Sequence, residues 1–183
     1  MSLGFTVHTV GAPELLGYAD RLHVLYRRCF AGPPWREPVD RLDGFPTRLD
    51  QHLANDGAHG VVVLMADRVV GAIYGWPAGA ELAAGSPFDD ALAAAVSPQV
   101  ARRLVAPAVT VAELMVDPDH QRRGLGRALL GRFVEEAPSA WLCTHPDAPA
   151  AALYRQEGWR QEVSFEVRDA PLVLFTWRAA AHR

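Results

Sequence analysis

Apolar and polar positions in the first third of the chain alternate between the period of a strand and the period of a helix. Residues 5–10 form a short β-like run, and residues 13–30 then place apolar side chains on one helical stripe, namely Leu15, Leu16, Ala19, Leu22, Leu25, Tyr26 and Cys29. The Gly- and Pro-rich stretch 31–38 breaks that helix, and a poorer helical pattern continues to about Leu53. We expect this second pattern to form a mobile helical lid.

Two β-branched runs and an alanine-rich stretch occupy the middle of the chain. Residues 60–66 and 69–76 are apolar runs separated by Asp67-Arg68, which predicts a β-hairpin with a two-residue turn. Residues 77–107 are rich in alanine and contain four prolines. We expect this stretch to be an insertion that contains two helices, near residues 89–96 and 98–105.

The last third of the chain predicts a parallel crossover followed by an antiparallel pair. A strand over 109–116, a helix over 124–137 and a strand over 140–144 follow one another, as is typical of a parallel connection. Three elements complete the pattern, a short helix over 149–157 and two strands over 159–167 and 172–178. The elements predict an α/β (α+β) protein, and the length predicts a single domain, residues 1–183.

The composition excludes several kinds of chemistry. All 18 basic side chains are arginines, so Schiff-base catalysis and a phosphate-loop lysine are excluded. The net charge of -3 gives no general attraction for nucleic acid. Cys29 and Cys143 are too few for a disulfide framework, and no Cys/His spacing predicts a metal site. With no signal peptide and no apolar run of membrane length, we expect a cytoplasmic protein without metal, membrane or nucleic-acid partners.

The segment 109–127 carries the most specific chemical pattern of the sequence. A predicted strand runs into a Gly-bearing turn and then into a helix, whose unpaired N–H groups and dipole favour a bound anion. Glycines at 124 and 126 let a phosphate approach the backbone, and positive charge comes from Arg122, Arg123 and Arg127. The alternative interpretation is an ordinary helix start with solvated arginines.

Three short motifs resemble those of a known enzyme superfamily. Gln121–Gly126 matches the pattern Gln/Arg-x-x-Gly-x-Gly/Ala completely, and Leu114–Pro118 precedes it as a hydrophobic-x-Val-x-Pro strand ending. Ala150–Trp159 is similar to the pattern Ala-x-x-Leu-Tyr-x-x-x-Gly-Phe, with tryptophan at the last position. On these motifs the chain resembles the GNAT superfamily of acyl-CoA-dependent N-acyltransferases.

The resemblance implies a fold, a reaction and a set of contacts. The fold is a central mixed, mostly antiparallel sheet flanked by helices, with a helical insertion between the third and fourth strands. The reaction is transfer of an acetyl group from acetyl-CoA to a primary amine, by direct attack in a ternary complex and without a metal. The residues expected to contact the carrier are Leu114, Met115, Val116, Gln121, Arg122, Arg123, Gly124, Leu125, Gly126, Arg127, Asp147 and Ala150.

Within that set, the resemblance assigns different parts of the carrier to different residues. The turn 121–126 would hold the pyrophosphate, and main-chain groups of Met115 and Val116 would bind the pantetheine arm like an added strand. A backbone N–H of Leu114 or Met115 would polarise the thioester carbonyl. Asp147 stands where the family often has asparagine, and an ionised aspartate accepts hydrogen bonds but cannot donate them. Capping of the following helix is an equally good role for Asp147.

Two side chains are candidates for acid and base catalysis. Glu113 matches a strand position where many members of the superfamily carry a basic carboxylate, and burial would have to raise its pKa for that role. The alternative for Glu113 is an ordinary exposed carboxylate. Tyr154 matches the frequent acid that protonates the departing thiolate, and its alternative is an aromatic ring packed against the sheet.

The sequence leaves the acceptor and part of the function open. The expected partner is a small-molecule or peptide amine, which could bind near Trp35 with Glu37, Asp40 and Asp43. A homodimer is compatible with the exposed sheet edges near the C-terminus. A catalytically silent acyl-CoA-binding regulatory module is the main alternative function. A nucleotide-binding domain is a further one, although a dinucleotide fingerprint would need a third glycine or alanine after Gly126.

Overall fold

The computed structural model describes residues 4–180, which form two compact units. The first unit comprises the chain up to Trp76 together with Val111–Glu135. The second comprises Pro77–Thr110 together with the chain from Glu136 onward, and it therefore contains the whole expected insertion. Among the described residues, no helix is both long and apolar enough to cross a bilayer.

The strands belong to one seven-stranded sheet in the order β1-β2-β3-β4-β5-β7-β6. The pairs β1–β2, β2–β3, β5–β7 and β6–β7 are antiparallel, and β4–β5 is parallel. The predicted mixed, mostly antiparallel sheet with flanking helices is thereby confirmed. The strands are β1 Phe5–Gly11, β2 His59–Met65, β3 Arg68–Pro77, β4 Val109–Val116, β5 Ser139–Thr144, β6 Arg160–Val167 and β7 Ala170–Arg178.

Helices connect most of these strands. They are α1 Ala12–Gly17, α2 Ala19–Phe30, α3 Val39–Asp43, α4 Phe45–Leu53, α5 Pro87–Ala95, α6 Pro98–Ala101, α7 Leu125–Val134 and α8 Pro149–Gln156, with a 3-10 turn at Pro118–His120. The stripe predicted as one helix over residues 13–30 is two helices, α1 and α2. The break falls at Tyr18, whose N–H donates to Leu15 O at 3.0 Å while its own carbonyl accepts from Leu22 N–H at 2.8 Å. Gly17 immediately before it weakens helix continuation.

The helices expected to form a lid are part of the core of the first unit. Leu42 of α3 and Phe45, Leu49 and Leu53 of α4 are buried in one hydrophobic cluster. The ring of Tyr26 from α2 stacks on Phe45 with centroids 4.3 Å apart. These contacts make α3 and α4 integral parts of the packing rather than a separate cover.

The β2–β3 hairpin turns one residue earlier than predicted. Met65 pairs with Arg68, so Ala66 and Asp67 form the turn instead of Asp67-Arg68. The register shifts between Val63 and Leu64, which adds one residue to β3 as in a β-bulge. Such a bulge leaves no mark in the hydrophobic pattern, because the residues on both sides of it are apolar.

The insertion supplies the helical side of the core in the second unit. The core of this unit contains the buried residues Leu92, Leu104, Ala108, Trp141 and Leu174. Serine side chains cap both helices, since Ser86 accepts from Asp89 N–H at 3.1 Å and Ser97 from Val100 N–H at 3.3 Å. The helix α6 ends at Ala101, which is earlier than the expected residue 105.

The last hairpin is tighter than expected. Val167 pairs with Ala170, so the turn consists of Arg168 and Asp169 alone. Both residues have left-handed φ values, 49° and 66°, which is typical of a type I′ turn. The predicted four-residue connection over residues 168–171 is therefore wrong.

Candidate active site

Glu113 lies in the middle of β4, in the first unit. Alternation along the strand places it on the same side as Val111 and Met115, and both of those side chains are buried. Burial raises the pKa of the Glu113 carboxyl to about 8, against the opposing charge of Arg48, and the negative charge of Glu37 raises it further. Glu113 is therefore not an ordinary exposed carboxylate.

A group of polar side chains from α2, α3, α4, β3 and the segment before α3 lies near Glu113 in the first unit; we call it the polar cluster. Its members are Tyr26, Glu37, Arg41, Arg48, His52 and Tyr74. The Tyr26 hydroxyl donates to Glu37 Oε2 at 2.6 Å, and Arg41 Nε donates to Glu37 Oε1 at 3.0 Å. The Glu37 carboxylate is thus held by two donors and cannot move freely.

The remaining members of the polar cluster are kept neutral or fixed by burial. His52 lies with Nδ1 3.2 Å from the Tyr74 hydroxyl oxygen. Burial lowers the pKa of His52 to about 4, and the positive charges of Arg48 and Arg41 lower it further. Burial and the charge of Glu113 raise the pKa of Tyr74. Burial thus moves the pKa of His52 and Tyr74 away from neutral pH, whereas it brings the pKa of the neighbouring Glu113 to about 8.

The raised pKa gives Glu113 a specific chemical capacity. For an ammonium of pKa about 10.4, proton transfer to Glu113 is uphill by about 3 kcal/mol, compared with about 8 kcal/mol for a carboxyl at its ordinary pKa. A base is most useful when its pKa lies close to the working pH. Glu113 meets that condition.

The end of β4 is fixed by hydrogen bonds that limit what Val116 can offer a ligand. Gln121 Nε2 donates to Val116 O at 3.0 Å, and Cys29 Sγ lies 3.4 Å from the same oxygen as a donor. Burial raises the pKa of the Cys29 thiol to about 12, so it remains protonated. Because the carbonyl of Val116 already accepts from both groups, a ligand donor there would have to displace one of them. The expected contact of Gln121 with the carrier competes with its bond to Val116 in the same way.

The turn after β4 has the backbone shape that the sequence pattern requires for an anion site. Arg122 and Gly124 have left-handed φ values of 58° and 81°, and Gly124 is the N-terminal cap of α7. The Ala128 N–H donates to Gly124 O at 3.0 Å. The N–H groups of Leu125, Gly126 and Arg127 therefore come before that hydrogen bond, at the positive end of the helix dipole. The turn itself, residues 121–124, is exposed, so an anion can reach it.

Replacing Gly124 by Ala tests the phosphate role of this turn. A Cβ at Gly124 would meet no atom within 4 Å, so the variant should fold. The left-handed φ of 81° disfavours any side chain, and we expect a loss of stability of about 1 kcal/mol. We also expect the dissociation constant for CoA, measured by calorimetry, to rise about 10-fold or more, because the methyl group shields the backbone N–H groups. A Gly131→Ala variant, which also has open space for a Cβ, is the control and should leave CoA affinity unchanged.

Three of the predicted site residues, Asp147, Ala150 and Tyr154, lie in the second unit. Asp147 is exposed, and its N–H donates to His145 Nδ1 at 3.1 Å. The predicted capping role of Asp147 is wrong, because the cap of α8 is Ala148 and no side chain caps that helix. Pro149 at the first helical position fixes the cap one residue after Asp147. Ala150 follows in the first turn of α8.

Tyr154 is packed in the second unit as the alternative interpretation expected. It is 4% exposed, and its ring lies 5.8 Å from that of Trp159 and 5.5 Å from that of Phe175. These contacts fix the direction of the ring. Packing and an acid role are compatible in a tyrosine, whose hydroxyl is at the far end of the ring.

Most of the polar cluster is not predictable from the sequence pattern. Glu37 was expected beside Trp35, Asp40 and Asp43 as an attraction for a cationic amine. Its carboxylate instead binds Tyr26 and Arg41, while Asp43 pairs with Arg27. Tyr26, Arg48 and Tyr74 were counted as helix or strand residues, since no motif marks them. The available signal was an arginine, Arg48, on the otherwise apolar stripe of α4 between Phe45 and Leu49.

A known protein family matches the part of the chain that contains β4, the turn 121–124 and α7. The model of the acetyltransferase (GNAT) family matches residues 19–159, which is more than half of the 183-residue chain. The chain therefore belongs to the acetyltransferase (GNAT) family and is an acyltransferase. No curated protein matches the chain.

Solved structures show the same fold at low sequence identity. An acetyltransferase from Thermus thermophilus is 18% identical with a TM-score of 0.63, over 97% of this chain and 98% of that chain. The ribosomal-protein-S18-alanine N-acetyltransferase from Escherichia coli is 15% identical with a TM-score of 0.63, over 98% and 97%. The PaiA N-acetyltransferase from Thermoplasma acidophilum, solved in complex with coenzyme A, is 8% identical with a TM-score of 0.61, over 96% and 99%. Neither the structure nor these likenesses favour the catalytically silent alternative.

Proposed function

We propose that this protein transfers an acetyl group from acetyl-CoA to a primary amine by direct attack, with Glu113 as the base. The observation that carries the proposal is the raised pKa of Glu113, about 8, on the family's central strand. A silent binding module has no use for a buried carboxyl, which burial makes costly to ionise. Membership of the acetyltransferase (GNAT) family and a neighbour solved with coenzyme A support acetyl-CoA as the donor.

In this proposal each part of the first unit has one task. The turn 121–126 and the N-terminus of α7 bind the pyrophosphate, and Arg122, Arg123 and Arg127 add charge. The strand β4 binds the pantetheine arm through main-chain groups of Met115 and Val116, and a backbone N–H of Leu114 or Met115 stabilises the oxyanion. Glu113 takes one proton from the acceptor ammonium, directly or through water, so that the neutral amine attacks the thioester carbonyl. When the C–S bond breaks, the nitrogen loses its second proton to give the amide, and the departing thiolate takes up a proton to give the free thiol.

Release of free thiol in the presence of an amine tests the proposed function. Purified protein and acetyl-CoA are incubated with a panel of primary amines, including amino acids, peptides and polyamines, and products are identified by mass. We expect thiol release that depends on an amine, with a product heavier by one acetyl group. Tight binding of acetyl-CoA without amine-dependent thiol release, for every member of the panel, would contradict the proposal and favour a regulatory module.

Tyr154 is proposed as the acid on the strength of the motif 150–159. Its expected role is to donate a hydrogen bond or proton to the departing thiolate. We expect Tyr154→Phe to lower kcat by about 10²-fold or less, with CoA affinity and stability retained, because the ring still fills the space against Trp159 and Phe175. Trp159→Phe, which changes a packed neighbour of the same ring without removing a hydroxyl, is the control. An unchanged kcat would remove Tyr154 from the mechanism.

We also propose, from the sequence, three properties that concern location and assembly rather than the reaction. They are a cytoplasmic protein, a single domain and a homodimer. Gel filtration with light scattering tests the homodimer.

A further inference from the structure

One edge of the Arg48 guanidinium, formed by Nε and Nη2, has no hydrogen-bond acceptor among the described residues. Its Nη1 donates to Arg41 O at 3.3 Å, and its Cζ lies 5.1 Å from the centroid of the Tyr26 ring and 5.8 Å from that of Phe45. These contacts fix the plane of the group. Its Nε and Nη2 are both buried, and among residues 4–180 neither has a hydrogen-bond partner.

Two unsatisfied donors on a buried cation are unusual in a folded protein. Buried polar groups are nearly always hydrogen-bonded, and leaving a charged one unpaired is costly. The other members of the polar cluster do not satisfy these two nitrogens, because the Glu37 carboxylate accepts from Tyr26 and Arg41, and among residues 4–180 no acceptor lies within hydrogen-bond distance of Arg48 Nε or Nη2. Two buried donors without a protein partner at this place therefore favour an acceptor that a ligand supplies.

The shape of the edge specifies the acceptor. Nε and Nη2 lie on the same side of a guanidinium and donate in parallel, which matches the two oxygens of a carboxylate. The first unit contains an example of this match, since Arg28 donates from Nε to Asp117 Oδ2 and from Nη2 to Asp117 Oδ1, both at 3.0 Å. Arg48 offers the same edge, and within the described part of the chain no Asp or Glu is hydrogen-bonded to it.

We propose that the acceptor amine carries a carboxylate, as a free amino acid does, and that Arg48 binds this carboxylate through Nε and Nη2. This inference rests on the proposed function, because it uses the neighbourhood of Glu113 and Arg48 to bind one molecule. Arg48 opposes the rise in the pKa of Glu113, so the two side chains interact electrostatically. An acceptor with an ammonium for Glu113 and a carboxylate for Arg48 presents opposite charges to both.

Matched pairs of acceptors test the proposal. The twenty common amino acids and their C-terminal amides are compared at saturating acetyl-CoA, so that each pair has the same amine-bearing side and differs in the carboxylate. We expect kcat/KM for the preferred amino acid to exceed that for its amide by about 10- to 100-fold, as for a hydrogen-bonded charged group. Equal values for acid and amide across the panel would overturn the proposal while leaving the proposed acetyl transfer intact.

The variant Arg48→Lys distinguishes the contribution of the two parallel donors, Nε and Nη2, from that of the positive charge. Lysine keeps a positive charge but cannot donate two parallel hydrogen bonds. We expect KM for the amino acid to rise about 10-fold or more and the preference in kcat/KM for the acid over its amide to fall toward one, while an unchanged circular-dichroism spectrum shows that the variant is folded. The control is Arg21→Lys, an exposed arginine of α2 over the ring of Tyr18. A variant that keeps the wild-type preference for the acid would overturn the role of Arg48.

A binding measurement keeps the proposal testable if no amine is acetylated. The thermal midpoint is recorded with coenzyme A present and with each amino acid or its amide added. The carboxylate site is supported if at least one amino acid raises the thermal midpoint while its amide does not, and if Arg48→Lys shows no such rise. The proposed acetyl transfer would then have failed, but the site would stand. No rise with any amino acid, together with no acetylation, overturns the site as well.

Discussion

Replacing Glu113 by Gln is expected to lower kcat by about 10²- to 10⁴-fold, the usual contribution of a positioned base. Glutamine keeps the size of the side chain but cannot take a proton. In the wild-type protein we expect kcat/KM to rise with pH and to level off near pH 8, because Glu113 must be ionised to act and burial raises its pKa to about 8. In the variant this rising limb should disappear.

Steady-state kinetics between pH 6 and pH 9.5 measure this expectation, with thiol release as the signal. The matched control is Glu135→Gln, an exposed glutamate of the first unit that pairs with Arg132 at 3.0 Å. It makes the same chemical change outside β4 and should leave kcat and the pH profile unchanged. A Glu113→Gln enzyme with wild-type kcat, or with the same rising limb, would show that Glu113 is not the base.

The raised pKa of Glu113 also has a consequence for stability that does not depend on catalysis. Between the ordinary pKa of 4.5 and about 8, the folded protein holds a proton on Glu113 that the unfolded chain releases. The folded state is therefore favoured most at pH below 4.5, and this part of the stability is lost as pH rises through 8. Glu113→Gln removes the effect, so the thermal midpoint of the variant should rise relative to that of the wild type as pH increases from 5 to 8.5. An unchanging difference would mean that the pKa of Glu113 is not raised.

The strands, the turn and its helix were predictable because their signals are local. The glycine cap at Gly124 and the strand β4 follow from residues next to each other in the chain, and the structure has both where the sequence places them. Element ends were less predictable. The β2–β3 turn lies one residue earlier than predicted, β3 contains a β-bulge, and the predicted helix over residues 13–30 is divided into two at Tyr18. Each depends on hydrogen bonds that hydrophobic periodicity does not report.

The candidate site likewise contains residues that the sequence could predict and residues that it could not. The match of Glu113 to a strand position of the superfamily was enough to nominate it, and burial raises its pKa as the role of a base requires. The surroundings of Glu113 were not predictable, because Tyr26, Arg48 and Tyr74 come from separate parts of the chain. Only packing of α2, α4 and β3 in one core brings them into one cluster. The capping role expected of Asp147 failed because Pro149 places the start of α8 one residue later.

Replacing Asp117 by Asn is expected to cause the largest loss of stability among single changes near the turn. The side chain of Asp117 is 1% exposed, and its carboxylate accepts two hydrogen bonds from Arg28, one from Arg68 at 3.2 Å and one from Asp119 N–H at 3.0 Å. Burial opposes ionisation of Asp117, but the hydrogen bonds from Arg28 and the Asp119 N–H outweigh it and lower its pKa. Asparagine keeps the shape but presents an NH₂ group to arginine donors and removes the buried negative charge, which leaves Arg28 with the exposed Asp119 as its carboxylate partner. Removing one partner of a buried ion pair costs several kcal/mol, and since Arg28 is partly exposed we expect about 2–4 kcal/mol.

Urea unfolding at pH 7 measures the loss of stability in Asp117→Asn, and calorimetry measures CoA binding in the same protein. Because Asp117 fixes the chain between β4 and the turn 121–126 to Arg28 of α2 and Arg68 of β3, we expect CoA affinity to fall together with stability. The control is Asp119→Asn, whose side chain is 73% exposed although it also binds Arg28, and its loss should stay below about 1 kcal/mol. The lowered pKa of Asp117 predicts that its contribution is complete above the ordinary pKa of 3.8 and is lost as pH falls through the folded value. The difference between wild type and Asp117→Asn should therefore shrink in acid, and equal losses for the two variants at pH 7 would contradict the role of this buried carboxylate.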